Sequence, residues 1–88
     1  MNWNTTRVLV TGAGGFIGSA IVEQLVARGA QVTAFIRYTG SGSRGNLRFL
    51  PRDVRERLRI ATGDLADAAT AANAIEGHDV VIHAAALV

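Results

Sequence analysis

Four residues without side chains, Gly12, Gly14, Gly15 and Gly18, have the type and spacing best suited to chemistry in this chain. They follow the apolar run Val8-Leu9-Val10 and lead into a segment of helical periodicity. Chemistry at such a place belongs to the backbone. Glycine admits torsions and close approaches that a Cβ would block. The first N–H groups of a helix lack an intrahelical acceptor and, with the positive end of the helix dipole, attract an anion. Strand, glycine turn and helix start, in that order, make a cradle for the paired phosphates of a dinucleotide. The spacing departs from G-x-G-x-x-G. The evenly spaced set is Gly12, Gly15 and Gly18, with Gly14 as an extra. Gly12 is read as the turn residue, Gly15 as the point where backbone meets phosphate, and Gly18 as the residue that lets helix pack on strand. The competing reading is an ordinary turn with several flexible residues.

Positioning such a turn needs a sheet. Residues 6–11 read as a buried strand, and Ile17, Ile21, Val22, Leu25 and Val26 line one face of a helix over 16–28 that stops at Gly29. A second strand spans 31–36, and a Gly/Ser-rich loop spans 38–46. A short helix is expected over 47–50, with Pro51 helping to end it. A third strand covers 58–61 and stops through Thr62-Gly63-Asp64-Leu65. The alanine-rich stretch 66–75 favours helix, Gly77 stops it, and residues 79–83 form a fourth buried strand. Strands alternating with helices predict an α/β fold, a Rossmann-type parallel sheet of about four strands with flanking helices. The order expected is 3-2-1-4, with the helix of 66–75 crossing to the second face. That leaves an apolar edge over 80–85 with few charges, which invites pairing. Residues 1–88 are therefore expected to be either a fragment of a longer protein or a piece in need of a partner.

At 88 residues the chain holds one small domain. It has no cysteine, which excludes disulfides, thiolate metal sites and cysteine nucleophiles, and no metal site is assigned. Residues 1–6 lack the features of a signal peptide, and no apolar run reaches the ~18 residues of a membrane span. A cytoplasmic protein with no membrane partner is expected. All nine basic residues are arginine, and seven of them fall between positions 37 and 59. Arg37 ends the second strand, where NAD enzymes usually place an acid on the ribose hydroxyls. An arginine there can neutralise a 2′-phosphate and stack on adenine, and Ser41, Ser43 and Arg44 add donors nearby. NADP is thus favoured as cofactor, with NAD as the alternative if Arg37 is only a solvated strand end.

Thr11-Gly12-Ala13-Gly14-Gly15-Phe16-Ile17-Gly18, Gly63-Asp64-Leu65 and His83-Ala84-Ala85-Ala86, in this order, resemble the amino-terminal part of an extended short-chain dehydrogenase/reductase, the NAD-dependent epimerase/dehydratase family. The resemblance runs over residues 7–88. Arg37-Tyr38 and the loop after it are similar to sugar-nucleotide 4,6-dehydratases. The resemblance implies that Gly12, Gly15, Phe16, Ile17 and Gly18 form the pyrophosphate turn. It also implies that Asp64 accepts a hydrogen bond from the adenine amino group while Leu65 packs against the ring. Asp64 equally suits the N-cap of the helix over 66–75, a task Asp67 can share. Ala84, Ala85 and Ala86 would let the cofactor ribose approach, or serve tight helix–sheet packing. The same pattern makes His83 a residue packed between sheet and helix and bonded to backbone, with no catalytic role. His78 is expected at the surface, and the Thr11 hydroxyl is expected to tie the first strand to the fourth.

Members of that family react substrate with a tyrosine four positions ahead of a lysine, beyond the fourth strand. This chain has one tyrosine, Tyr38, and no lysine. It is expected to bind cofactor without turning over substrate. The leading reading is the NAD(P)-binding portion of a sugar-nucleotide epimerase, dehydratase or reductase. Its sugar nucleotide would be held by carboxy-terminal regions, and its parent would be a homodimer. The alternative is a non-catalytic dinucleotide-binding or redox-sensing module. Nucleic-acid binding through the arginines of 44–59 carries less weight, because Phe49 is the one aromatic among them.

Overall fold

A computed structural model describes residues 2–37 and 44–84. Its sheet contains β1 (Arg7–Thr11), β2 (Gln31–Arg37), β3 (Arg59–Gly63) and β4 (Val80–His83), all parallel, in the order β3-β2-β1-β4. The helices are α1 (Phe16–Ala27), α2 (Arg52–Arg57) and α3 (Ala68–Ile75), with 3-10 turns at Trp3–Thr5 and Gly45–Phe49. The α/β class and the strand order are those the sequence pattern predicts.

Period-two alternation sorts the strand residues onto two faces. Val8, Val10, Val32, Ala34 and Ile36 point to one side, where they meet Val22, Leu25 and Val26 of α1 and Leu47, Leu50 and Val54. Val8, Val10, Val22 and Val26 are wholly buried, each worth about 1.5–3 kcal/mol of transfer free energy. The opposite face carries Leu9, Thr33 and Phe35, also buried, and α3 reaches it through Thr70, next to Gly63 and Phe35. α3 itself buries no residue, and Ile75 (48% exposed) and Val81 (43%) leave apolar area open there.

Strand ends differ from expectation by one or two residues, most of all at β3, expected over 58–61 and observed at Arg59–Gly63, and two helix boundaries differ as well. The short helix expected over 47–50 is present as a 3-10 helix shifted to Gly45–Phe49, but Pro51 does not end it. The 3-10 turn of Gly45–Phe49 gives way to α2, with Pro51 as its N-cap accepting Arg55 N–H at 3.0 Å. Proline lacks only a donor that a first turn leaves unused, so it starts a helix more readily than it ends one. At the other boundary, α3 begins at Ala68, not Ala66. Asp67 is its N-cap and accepts from Ala69 N at 2.9 Å and Thr70 N at 3.3 Å. Asp64 makes a separate turn through Ala66 N at 2.9 Å.

Candidate functional site

β1 ends at Thr11, and the chain reverses through Gly12 at φ +67°, a left-handed conformation that favours glycine. Gly12 O accepts Gly15 N–H at 3.1 Å, closing a tight turn, and Ala13 is buried with its N–H on Phe35 O at 3.3 Å. Gly15 is the N-cap of α1. The N–H groups of Phe16, Ile17 and Gly18 have no acceptor among the described residues. They open at the carboxyl edge of the parallel sheet, the edge where α/β folds bind ligands.

The added-Cβ geometry separates the glycines by role. A Cβ on Gly18 would fall inside van der Waals distance of Gly12 O and 2.9 Å from Ala13 Cα, both backbone atoms that cannot step aside. Gly18 therefore sets how closely α1 approaches the turn. A Cβ on Gly15 would meet only Gly12 O, at an ordinary 3.4 Å, and otherwise project into open space. A hollow bordered by donors and kept clear by a missing side chain fits a diphosphate. Phe16 (83% exposed) and Ile17 (65%) project their side chains to solvent, so their contribution at this turn is backbone N–H.

Beside the turn lies a cleft of about 350 Å³ lined by Gly12, Arg37, Asp64, Leu65 and His83, with the Phe35 ring in its wall. Adjacent strand ends bring these together: Arg37 pairs in register with Gly63, and Thr11 with His83. Neither ion pair among the described residues involves Arg37. Asp64 Oδ1 is engaged by Ala66 N–H, while Oδ2 has no hydrogen bond among the described residues. Asp67 caps α3, so Asp64 is not needed as that cap. Thr11 Oγ1 lies 2.5 Å from His83 Nδ1, a direct tie between β1 and β4. Contrary to expectation, His83 is exposed at the strand end and bonded to a hydroxyl, because its ring turns to the Thr11 side chain on the neighbouring strand. Ala84 follows β4 and donates its N–H to Thr11 O at 3.0 Å. Ala85, Ala86, Tyr38, Ser41 and Ser43 lie outside the described residues. Arg44 lines a separate hollow with Leu47, Arg48 and Arg55.

A larger hollow, about 490 Å³, sits at the opposite sheet edge among Arg7, Gly29, Thr33 and His78. α1 and α3 end there, so their carbonyls and negative dipole ends face it; Arg7, Arg57 and Arg59 line it with positive charge, but among the described residues it is bordered by no helix N-terminus. His78 is half-buried there, not a surface residue: Nε2 lies 2.9 Å from Thr33 Oγ1, and Nδ1 is buried without a partner among the described residues. Among the site residues, the sequence reading missed Phe35, Ala66 and the approach of Gly45 and Asn46 to Gly14. That last contact joins backbone to backbone some thirty positions apart, which no motif spacing records.

A family model described as GDP-mannose 4,6 dehydratase matches residues 9–88. The chain belongs to this family and, with it, to the extended short-chain dehydrogenases/reductases. A dTDP-glucose 4,6-dehydratase of Mycolicibacterium smegmatis is 38% identical over 91% of this chain and 24% of its own length. The Bordetella bronchiseptica enzyme WbmH, solved with NAD+, superposes with a TM-score of 0.66 at 30% identity, over 94% of this chain and 27% of its own. AtPrR2, solved with NADP+ and (+)pinoresinol, does so with a TM-score of 0.76 at 26% identity over the same shares, 94% and 27%. The chain thus spans about a quarter of the length of each. Within this dehydrogenase/reductase family, it corresponds to a region of NAD(P)-dependent epimerases, dehydratases and reductases. No helix among the described residues is long and apolar enough to cross a membrane.

Proposed function

We propose that this chain holds NADP at the carboxyl edge of its sheet, as the cofactor-binding portion of a sugar-nucleotide epimerase, dehydratase or reductase. The observation that carries the reading is the pairing of N–H groups at Phe16, Ile17 and Gly18, without an acceptor among the described residues, with the open space above Gly15. The amides orient the diphosphate and the α1 dipole adds attraction for its charge. Leu65 and Asp64 would receive the adenine, Asp64 through its unengaged Oδ2. Arg37, exposed and without a carboxylate partner among the described residues, would neutralise a 2′-phosphate. Bound there, the nicotinamide group supplies reversible hydride acceptance.

The substrate class rests on the likeness to a dTDP-glucose dehydratase and on the Arg37-Tyr38 pattern. With one tyrosine and no lysine, these 88 residues lack a Tyr-x-x-x-Lys dyad. Proton transfer, sugar recognition and dimerisation would then belong to regions outside them. The same absence supports a second reading, a dinucleotide-binding module that performs no turnover. Three of the six arginines of 44–59 have partners within the chain: Arg52 pairs with Glu56, Arg55 donates to Leu50 O, and Arg48 stacks on Phe49. That supports a solvated face over a nucleic-acid surface.

Titration of wild-type and Arg37→Asp protein with NADPH and NADH tests the cofactor choice. The expected result is tighter NADPH binding by wild type, with the preference reversed in the variant, since a charge-assisted contact is worth about 1.5–3 kcal/mol. An identical NADPH/NADH ratio in both would remove Arg37 from the site.

A further inference from the structure

Gly14 is the one glycine of the turn to which the phosphate reading gives no task. Its carbonyl accepts the Asn46 N–H at 2.9 Å. A Cβ on Gly14 would stand 3.3 Å from the Arg44 carbonyl oxygen and 3.5 Å from Ile36 Cγ2. The other partner is equally constrained. Gly45 adopts φ +59°, and a Cβ there would stand 2.5 Å from Gly14 O and 3.1 Å from Gly14 C. Backbone lies on backbone, and each side needs glycine for the approach.

The peptide that joins Gly14 to Gly15 is consequently held from both ends. Its N–H donates to Gly12 O at 3.1 Å and its C=O accepts from Asn46. A glycine-rich turn would otherwise sample many orientations of that plane. The segment pressing on it is itself fixed: Leu47 is 2% exposed in the core, and its N–H reaches Arg44 O at 3.3 Å.

We infer that Arg44-Gly45-Asn46 is a strap that sets the orientation of the phosphate turn, with Gly45 a positioning residue for dinucleotide affinity. The inference rests on the phosphate reading of the turn. It extends that reading to a segment that meets the turn at the Gly14 backbone and acts through the Gly14–Gly15 peptide. Its expected signature is specific to ligands carrying a diphosphate. Loosening the strap frees one peptide plane, which costs about tenfold in affinity when the ligand must fix it again.

Calorimetric titration of wild-type, Gly45→Ala and Gly14→Ala protein with ADP and with adenosine tests this, each variant first checked for folding by circular dichroism. Expected is a loss of about tenfold for ADP in Gly45→Ala and a smaller loss in Gly14→Ala, with adenosine affinity unchanged in both. In unmodified protein, ADP but not adenosine should slow hydrogen exchange at the Asn46 amide, because linkage is reciprocal. Unchanged ADP affinity, or equal losses for ADP and adenosine, overturns the strap. If Gly45→Ala does not fold, Gly14→Ala and the exchange measurement decide by the same criteria. Wild-type protein that binds ADP no better than adenosine would instead overturn the phosphate reading itself, and the strap with it.

Discussion

Valine at position 15 should leave the fold intact and destroy dinucleotide binding, whereas alanine at position 18 should damage the fold. Gly15 sits at φ −75°, ψ 173°, extended backbone that a β-branched residue adopts readily. Its Cβ would touch only Gly12 O, at 3.4 Å. The stability change should therefore stay within about 1 kcal/mol. The valine methyls would instead occupy the space over the Phe16, Ile17 and Gly18 amides. Losing two charge-assisted hydrogen bonds at about 1.5–3 kcal/mol each removes about 3–6 kcal/mol, a hundredfold or more in Kd. Gly18→Ala forces a Cβ against Gly12 O and Ala13 Cα, and overpacking against backbone should cost about 1–3 kcal/mol of stability. Fluorescence titration with NADPH and urea unfolding, run on both variants, separate the two effects. Unchanged affinity in Gly15→Val, or unfolding as severe as that of Gly18→Ala, would refute the assignment of open phosphate space to Gly15.

Asp67→Ala should lower thermal stability by about 1 kcal/mol through loss of the α3 cap while leaving cofactor affinity alone. Asp64→Ala should do the reverse in emphasis, weakening adenosine binding in the same titration; equal behaviour of the two variants would reduce Asp64 to a turn former. Asp79 is held below the ordinary aspartate pKa, first by the Arg7 backbone N–H at 2.8 Å and then by the Arg7 guanidinium. Because the folded value is the depressed one, this stabilisation is complete above the unfolded aspartate range. It is lost as pH falls through the lowered folded value, below about pH 4. Asp79→Asn should accordingly lower Tm at pH 7 and match wild type in strong acid, as followed by circular dichroism melts.

What the sequence made legible follows from how many residues repeat a signal. Val8-Leu9-Val10 and the run from Val32 to Ile36 are buried on both faces, so both read as central parallel strands without further help. α1 was legible from Val22, Leu25 and Val26 and its glycine stop, whereas Ile17, expected on the same face, is 65% exposed because the first turn buries Gly18 and Ser19 instead. α2 was not, because its six residues contain one apolar side chain, Val54, and one residue has no period. The start of α3 moved by two positions because two aspartates compete to cap it, and only geometry shows that Asp67 holds the helix while Asp64 holds a turn. His78 looked like a turn residue at the surface, yet Thr33, far away in sequence, draws its ring inward. Gly12 and Gly18 carried their roles in the motif itself. Gly14 did not, because its partner is the backbone of Gly45 and Asn46.

The most direct measurement is an amide-resolved nuclear magnetic resonance titration of the protein with NADP+. Binding at the start of α1 predicts the largest, saturable shifts at Phe16, Ile17 and Gly18, with smaller ones at Arg37 and Asp64. Shifts gathered instead around Gly29, Thr33 and His78 at the far sheet edge, or none at all, would contradict it.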